Sequence, residues 1–180
     1  MRLFLGIFPP ETVLDALDAL ERGLRKDLPR RGGDLRWVPR GRRHLTLVFL
    51  GERPEAEIAV LEEGLEEGLR GTGSFEIVLD RGGAFPEPSR ARVLWVGPSR
   101  TETLAGLASR CREALGLEDS EEHRPHLTLA RTRRGRIALP RFEVSVPPFE
   151  AGEVRLVASV LRGPDRGYRV LATFPLREGS

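Results

Sequence analysis

The chain has 180 residues, 39% hydrophobic and 31% charged, with a formal net charge of +2; this length suits one compact domain or two tightly fused lobes and excludes a multidomain machine. It contains no Asn, no Gln, one Lys (Lys26), one Cys (Cys111) and only the initiator Met. An intramolecular disulfide, a multi-cysteine zinc site and a Walker-type Gly-Lys-Ser/Thr loop are therefore excluded, which argues against ATP-driven or lysine-adenylate chemistry. The basic charge is almost wholly Arg and the acidic charge mostly Glu, a composition that fits a thermophile and also GC-rich coding.

No run approaches the eighteen or so apolar residues of a membrane span. Met1 to Pro10 is too short for a secretion signal and leads straight into Glu11 without a small-residue cleavage site, so it reads as the first strand of a soluble, cytoplasmic protein. Val13, Leu14, Leu17, Leu20, Leu24 and Leu28 then recur at helical spacing between Pro10 and Pro29, predicting a helix over Glu11 to Leu28. An Arg- and Gly-rich loop, Arg30 to Asp34, leads to short strands at Leu35 to Val38 and His44 to Leu50. A second helix, Glu55 to Arg70, follows Pro54, with Ile58, Leu61, Leu65 and Leu69 on one face and an acidic remainder. Phe75 to Leu79 alternates as a strand, and Arg81 to Pro88 reads as a loop because of its Gly and Pro.

The second half repeats this order of elements: a strand at Val93 to Gly97, a helix at Thr101 to Leu115 and a strand at His126 to Arg131. Strands at Phe142 to Val146, Val154 to Leu161 and Tyr168 to Phe174 complete it, the last two joined by a turn at Gly163 to Gly167. Interleaved helices and strands with several short turns predict a mixed α+β fold rather than a doubly wound parallel sheet. Without a linker or low-complexity segment, residues 1–180 read as one bilobal domain with approximate halves 1–88 and 89–180.

Two of the three histidines begin the same tetrapeptide, His44-Leu45-Thr46-Leu47 and His126-Leu127-Thr128-Leu129, once in each half. Strand alternation puts His44 with Thr46, and His126 with Thr128, on one face, and the leucines on the other. If the halves pack about a pseudo-twofold axis, both pairs face one cleft. Two imidazoles across a cleft suit displacement at phosphorus, one as general base and one as general acid. The hydroxyls of Thr46 and Thr128 can donate to the non-bridging oxygens. Six arginines lie between Arg30 and Arg43 with one acid, Asp34, and six between Arg124 and Arg141 with none, so the net charge hides a basic cleft suited to a polyanion. Trp37 and Phe85 offer rings to a base, though they and Trp95 fit core or cleft wall better.

With these residues the sequence resembles the RNA 2',3'-cyclic phosphodiesterases, also called bacterial 2'-5' RNA ligases, of the two-histidine phosphoesterase superfamily. The resemblance runs from Arg2-Leu3-Phe4 through Trp37-Val38, His44 to Gly51, Gly83 to Pro86, Arg92 to Gly97 and Pro125 to Arg131, to the final strand at Tyr168 to Leu176. It implies a LigT-like fold, pseudo-twofold duplicated lobes with antiparallel sheets facing a central cleft. It further implies hydrolysis of a terminal 2',3'-cyclic phosphate on RNA to a 2'-phosphomonoester, without metal or nucleotide cofactor, with 2'-5' ligation as the reverse reaction. By the family's pattern His44 is the proton donor, His126 the proton acceptor, Thr46 and Thr128 hold the phosphate, and Arg131 follows the second motif as a phosphate contact. Two positions depart from that pattern: Arg42 stands where Asn is common, and His123 where an aromatic is common.

Competing readings are a non-catalytic basic RNA-binding module and a phosphodiesterase for small cyclic nucleotides. His123 and His126 have a metal-like spacing, but no third His or Cys stands beside them and His126 is already committed to the repeated motif. Cys111 reads as a small buried hydrophobe. The expected partner is RNA with a cyclic phosphate end, tRNA fragments among the candidates; the chain itself is expected to be a monomer without a membrane partner.

Overall fold

The computed structural model describes residues 1–28, 35–118, 124–133, 138, 142–160 and 167–177. The loop expected at Arg30 to Asp34, His123, Arg134, Arg136, Arg141, Leu161 and the turn expected at residues 163–166 lie outside the described residues.

Strand β1 (Arg2–Ile7) leads through Pro9 and Pro10 into helix α1 (Glu11–Asp27). The helix opens with the Val13 and Leu14 amides donating to the Pro10 carbonyl, and buries Val13, Leu14, Leu17 and Leu24. It ends because Leu28 precedes a proline and is driven to extended geometry, φ −73° and ψ 126°. Then come β2 (Leu35–Trp37), a 3-10 turn at Arg40–Arg42, β3 (Leu45–Glu52), α2 (Ile58–Gly68) and β4 (Phe75–Ile77). β5 (Arg81–Phe85), β6 (Val93–Gly97), α3 (Glu102–Ala114), β7 (Leu127–Thr132), β8 (Phe149–Ala151), β9 (Glu153–Val160) and β10 (Gly167–Pro175) complete the order.

Two expectations are corrected. Arg81 to Phe85 is a strand paired along its length with β6, not part of a loop. Its glycines are there for close packing: a Cβ at Gly82 would lie 2.3 Å from the Phe142 ring, and one at Gly83 would lie 2.4 Å from the Trp95 ring. Phe142 to Val146 has the alternating burial of a strand but pairs with none, and Pro147 and Pro148, which lack N–H donors, separate it from β8. Alternation records a buried face; it does not supply a neighbouring ladder.

The strands form a sheet of order β10-β9-β1-β3-β7-β6-β5, with β2 also pairing β7, and a small β4-β8 sheet. All pairings are antiparallel. β9 and β10 complete the sheet beside β1, while β2 and β5 pair with β7 and β6, so the two halves of the chain exchange strands.

The joint between β3 and β7 is one pair, Leu45 opposite Leu127. These are the same position of the repeated tetrapeptide, and an antiparallel pair of equivalent residues is what a local twofold axis requires. Leu45, Leu127 and Leu129 are fully buried and Leu47 is 1% exposed. Each burial is worth about 1.5–3 kcal/mol, so the leucines fix the motif strands and leave their other face to the cleft. Among the described residues no helix is long and apolar enough to cross a membrane.

Candidate active site

His44 and His126 each stand one residue ahead of their strands, at the joint between the half-sheets. They are held alike. The Nδ1 of His44 lies 2.7 Å from the Arg42 carbonyl oxygen, and the Nδ1 of His126 lies 2.8 Å from that of Arg124. A carbonyl only accepts, so each Nδ1 carries the hydrogen and each Nε2 is left for proton transfer. A motif histidine thus takes its tautomer from the backbone two residues upstream.

One cavity of about 1240 Å³ is lined by His44, Thr46, His126, Thr128 and Arg131 together. The Arg131 guanidinium lies 3.5 Å from the Thr128 hydroxyl oxygen. Among the described residues, five that line the cavity are arginines (Arg2, Arg42, Arg112, Arg124 and Arg131) and none is acidic. Anions are favoured there by the whole wall rather than by one ion pair.

The arginine runs divide differently from expectation. Arg43 is 3% exposed and pairs with Asp18 at 2.7 Å and with Glu21; Arg40 pairs with Asp18 at 2.6 Å, Asp15 at 2.9 Å and Glu11. Burial would raise the Asp18 carboxyl, but the hydrogen bonds and charges of Arg40 and Arg43 hold it below the usual range. These arginines are consumed by helix α1. They pin the turn whose last residue, Arg42, supplies the carbonyl for His44, so a charge cluster that reads as ligand-facing is partly an anchor. Of the expected base platforms, Phe85 lines the cavity; Trp37 does not, and carries the Arg25 guanidinium 4.7 Å from its ring centre.

Several lining residues escaped sequence reasoning about the site. Arg2 and Phe4 come from β1, Arg112 from α3, Ser159 from β9 and Tyr168 from β10. Alternation along β1 sets Arg2, Phe4 and Gly6 on one face, which was the available signal; the alignment of Ser159 between Arg2 and Tyr168 exists only through strand pairing.

The His44 ring stacks on Phe4 at 4.6 Å and Phe8 at 5.3 Å, with Tyr168 edge-on at 5.3 Å. Burial among these rings lowers its pKa to about 4, the positive charges of His126 and Arg131 push the same way, and the Arg42 carbonyl opposes them. Burial also raises the Tyr168 phenol. Cys111 lies outside the cavity, fully buried on α3, where burial pushes its thiol up to about 12. Among the described residues no three His, Cys, Asp or Glu side chains gather as metal ligands.

A family model described as the 2'-5' RNA ligase superfamily matches residues 8–158. An RNA 2',3'-cyclic phosphodiesterase of Thermus thermophilus is 35% identical over 98% of this chain and 91% of its own length. One of Thermotoga maritima is 30% identical over 95% of this chain and 93% of its own length. The fold superposes on the crystal structure of Escherichia coli LigT in apo form with a TM-score of 0.79 and 26% identity, covering 98% of each chain.

Proposed function

The chain belongs to the 2'-5' RNA ligase superfamily, and from that premise we propose that it is a phosphodiesterase that hydrolyses the terminal 2',3'-cyclic phosphate of RNA to a 2'-phosphomonoester. The observation that carries this reading is the pair of backbone-fixed imidazoles, each with Nε2 left for chemistry, in a cavity whose described lining has five arginines and no acid. His126 Nε2 takes a proton from water as the water oxygen bonds to phosphorus. The P–O3' bond breaks on the opposite side, and His44 Nε2 delivers its proton to O3'. Thr46, Thr128 and Arg131 hold the non-bridging oxygens, whose charge must be stabilised in the transition state.

His44 is neutral in the free protein near pH 7, because its pKa is lowered to about 4. As proton donor it acquires its proton when the anionic ester enters, since the ester's charge offsets the dehydration that disfavours imidazolium. With a 5'-hydroxyl in place of water the same displacement joins the cyclic phosphate end to that hydroxyl: the 5'-oxygen bonds to phosphorus, P–O3' breaks, and a 2'-5' linkage remains.

The test is an end-group assay on RNA ending in a 2',3'-cyclic phosphate, read for 2'- against 3'-phosphate, with and without a 5'-hydroxyl acceptor. The reading expects the 2'-phosphate, activity that survives EDTA, and loss in both His44→Ala and His126→Ala. RNA binding without turnover in the wild type would overturn it in favour of a binding module.

A further inference from the structure

Strand β3 does not alternate throughout. Thr46 faces the cavity, Leu47 and Val48 are both buried, and Phe49 is 56% exposed. Against β1 the register slips twice: Gly6 is opposite Thr46, Leu5 opposite Val48, Phe4 opposite Phe49 and Leu3 opposite Gly51, so Leu47 and Leu50 are extra residues. Strict alternation from Leu45 and Leu47 would bury Phe49 with them. The bulge at Leu47 turns it onto the catalytic face instead, a known use of bulges beside sites.

Phe49 therefore lines the cavity as a large apolar ring that the core does not use. The Arg2 guanidinium lies 5.3 Å from its ring centre, and a guanidinium held against a ring keeps its N–H edge for a phosphate. The acid opposite Arg2, Glu52, lies 3.7 Å from the N-terminal ammonium. On the inner side Phe49 stacks on Phe4 at 6.2 Å, and Phe4 stacks on His44. Rings thus run from the imidazole to the rim, ending in an exposed phenyl and a cation.

In-line displacement decides what lies along this wall. If water arrives from the His126 side, O3' leaves toward His44, so the terminal ribose and the chain 5' of it run along the wall of Phe4, Phe49 and Arg2. We propose that Arg2 and Phe49 form a subsite for the nucleotide immediately 5' of the cyclic end, Arg2 taking the internucleotide phosphate and Phe49 the base beyond it. This rests on the reading above and sharpens it: the preferred substrate is an oligonucleotide end rather than a nucleoside 2',3'-cyclic phosphate.

Stacking of a base on an aromatic side chain is worth about 1–3 kcal/mol, or roughly 5- to 150-fold. The experiment measures kcat/KM for a trinucleotide ending in a 2',3'-cyclic phosphate and for the matching nucleoside cyclic phosphate. The ratio is expected to exceed one in the wild type and to fall within that range in Phe49→Ala and Phe49→Leu, the second keeping an apolar cover over Phe4. Arg2→Met should also lower the ratio and flatten the salt dependence of trinucleotide binding by about 0.7 in log–log slope. A wild-type ratio of one, or a ratio unchanged in these variants, overturns the subsite. If neither substrate is cleaved, the hydrolase reading fails separately. Fluorescence anisotropy of a labelled single-stranded RNA on His126→Ala, with and without Phe49→Ala, then decides the subsite: weaker binding supports it and equal binding overturns it.

Discussion

The two histidines are held by the same backbone device and housed in different surroundings. β1 lies beside β3 as β6 lies beside β7, in matching register: Ile7 is opposite Leu45 and Val96 opposite Leu127, while Gly6 is opposite Thr46 and Trp95 opposite Thr128. One residue further on stand Phe8 and Gly97. Across the pseudo-twofold axis a glycine and an aromatic have exchanged places.

On the first side a Cβ at Gly6 would come within 3.3 Å of His44 Cδ2 and 3.0 Å of the Leu45 carbonyl oxygen, so glycine spares the imidazole and the backbone a tight contact there. On the second side a Cβ at Gly97 would lie 2.8 Å from the Pro125 carbonyl oxygen. His44 consequently stacks on two phenyl rings, whereas His126 meets Phe85 at 5.0 Å and 80° and Trp95 at 6.5 Å and 63°, both edge-on. Duplication supplies two equivalent imidazoles. The proposed mechanism needs an acid and a base that are inequivalent, and the exchanged side chains give the two imidazoles different surroundings.

The largest break in this comparison is removal of either imidazole. His44→Ala and His126→Ala should each lower kcat by roughly 10²- to 10⁴-fold, with RNA affinity largely kept, measured by single-turnover kinetics and anisotropy. Comparable losses in the two variants are expected although their surroundings differ.

Next in size is the anchor on the His44 side. Arg43→Met removes a buried guanidinium, while Asp18 keeps Arg40 and Glu21 keeps Arg25, and should cost about 1–3 kcal/mol of stability, read from urea unfolding. An unchanged unfolding midpoint would show that the turn carrying the Arg42 carbonyl does not depend on this pair.

The pH dependence of stability tests the dry surroundings of His44. Its folded pKa, lowered to about 4, lies below the unfolded value of about 6.5. Between these values the unfolded chain binds a proton that the folded chain refuses. The contribution is therefore complete above pH 6.5 and is lost as pH falls toward 4, by at most about 3 kcal/mol. The difference in unfolding free energy between wild type and His44→Leu, measured from pH 7 to pH 4, should show this trend.

The smallest effect comes from weakening the stack. Phe8→Leu removes one of the two rings against His44 and admits water, so its pKa should rise toward 6.5, followed by NMR titration of the imidazole C–H signals. In the pH–rate profile the limb belonging to His44 should move while that of His126 stays. Movement of both limbs together would mean that the aromatic exchange does not set the difference.

Much of the fold was legible in the sequence because its signals are periodic and local. Apolar spacing and the flanking prolines marked α1 within a residue, and the repeated tetrapeptide marked both imidazoles, both threonines and the buried leucines. The weaker readings share one cause. Arg81 to Phe85 resembled a loop because its glycines reflect rings from Trp95 and Phe142, which are remote in sequence; Phe142 to Val146 alternates without a partner among the described residues; and nothing in the sequence of the His44 to Leu50 strand announces the bulge that turns Phe49 outward.

By itself the sequence determined which groups could do chemistry: histidine, threonine and arginine, with one lysine, one cysteine and no amides. Tertiary structure decided which of them meet and how each behaves. Arg40 and Arg43 went to helix α1, Arg2 and Tyr168 came to the cavity, and only one imidazole was enclosed by stacked rings. Composition and periodicity are properties of neighbouring residues along the chain. Solvation and charge at a side chain depend on whatever the other strands bring against it, and that is fixed only when the sheet assembles.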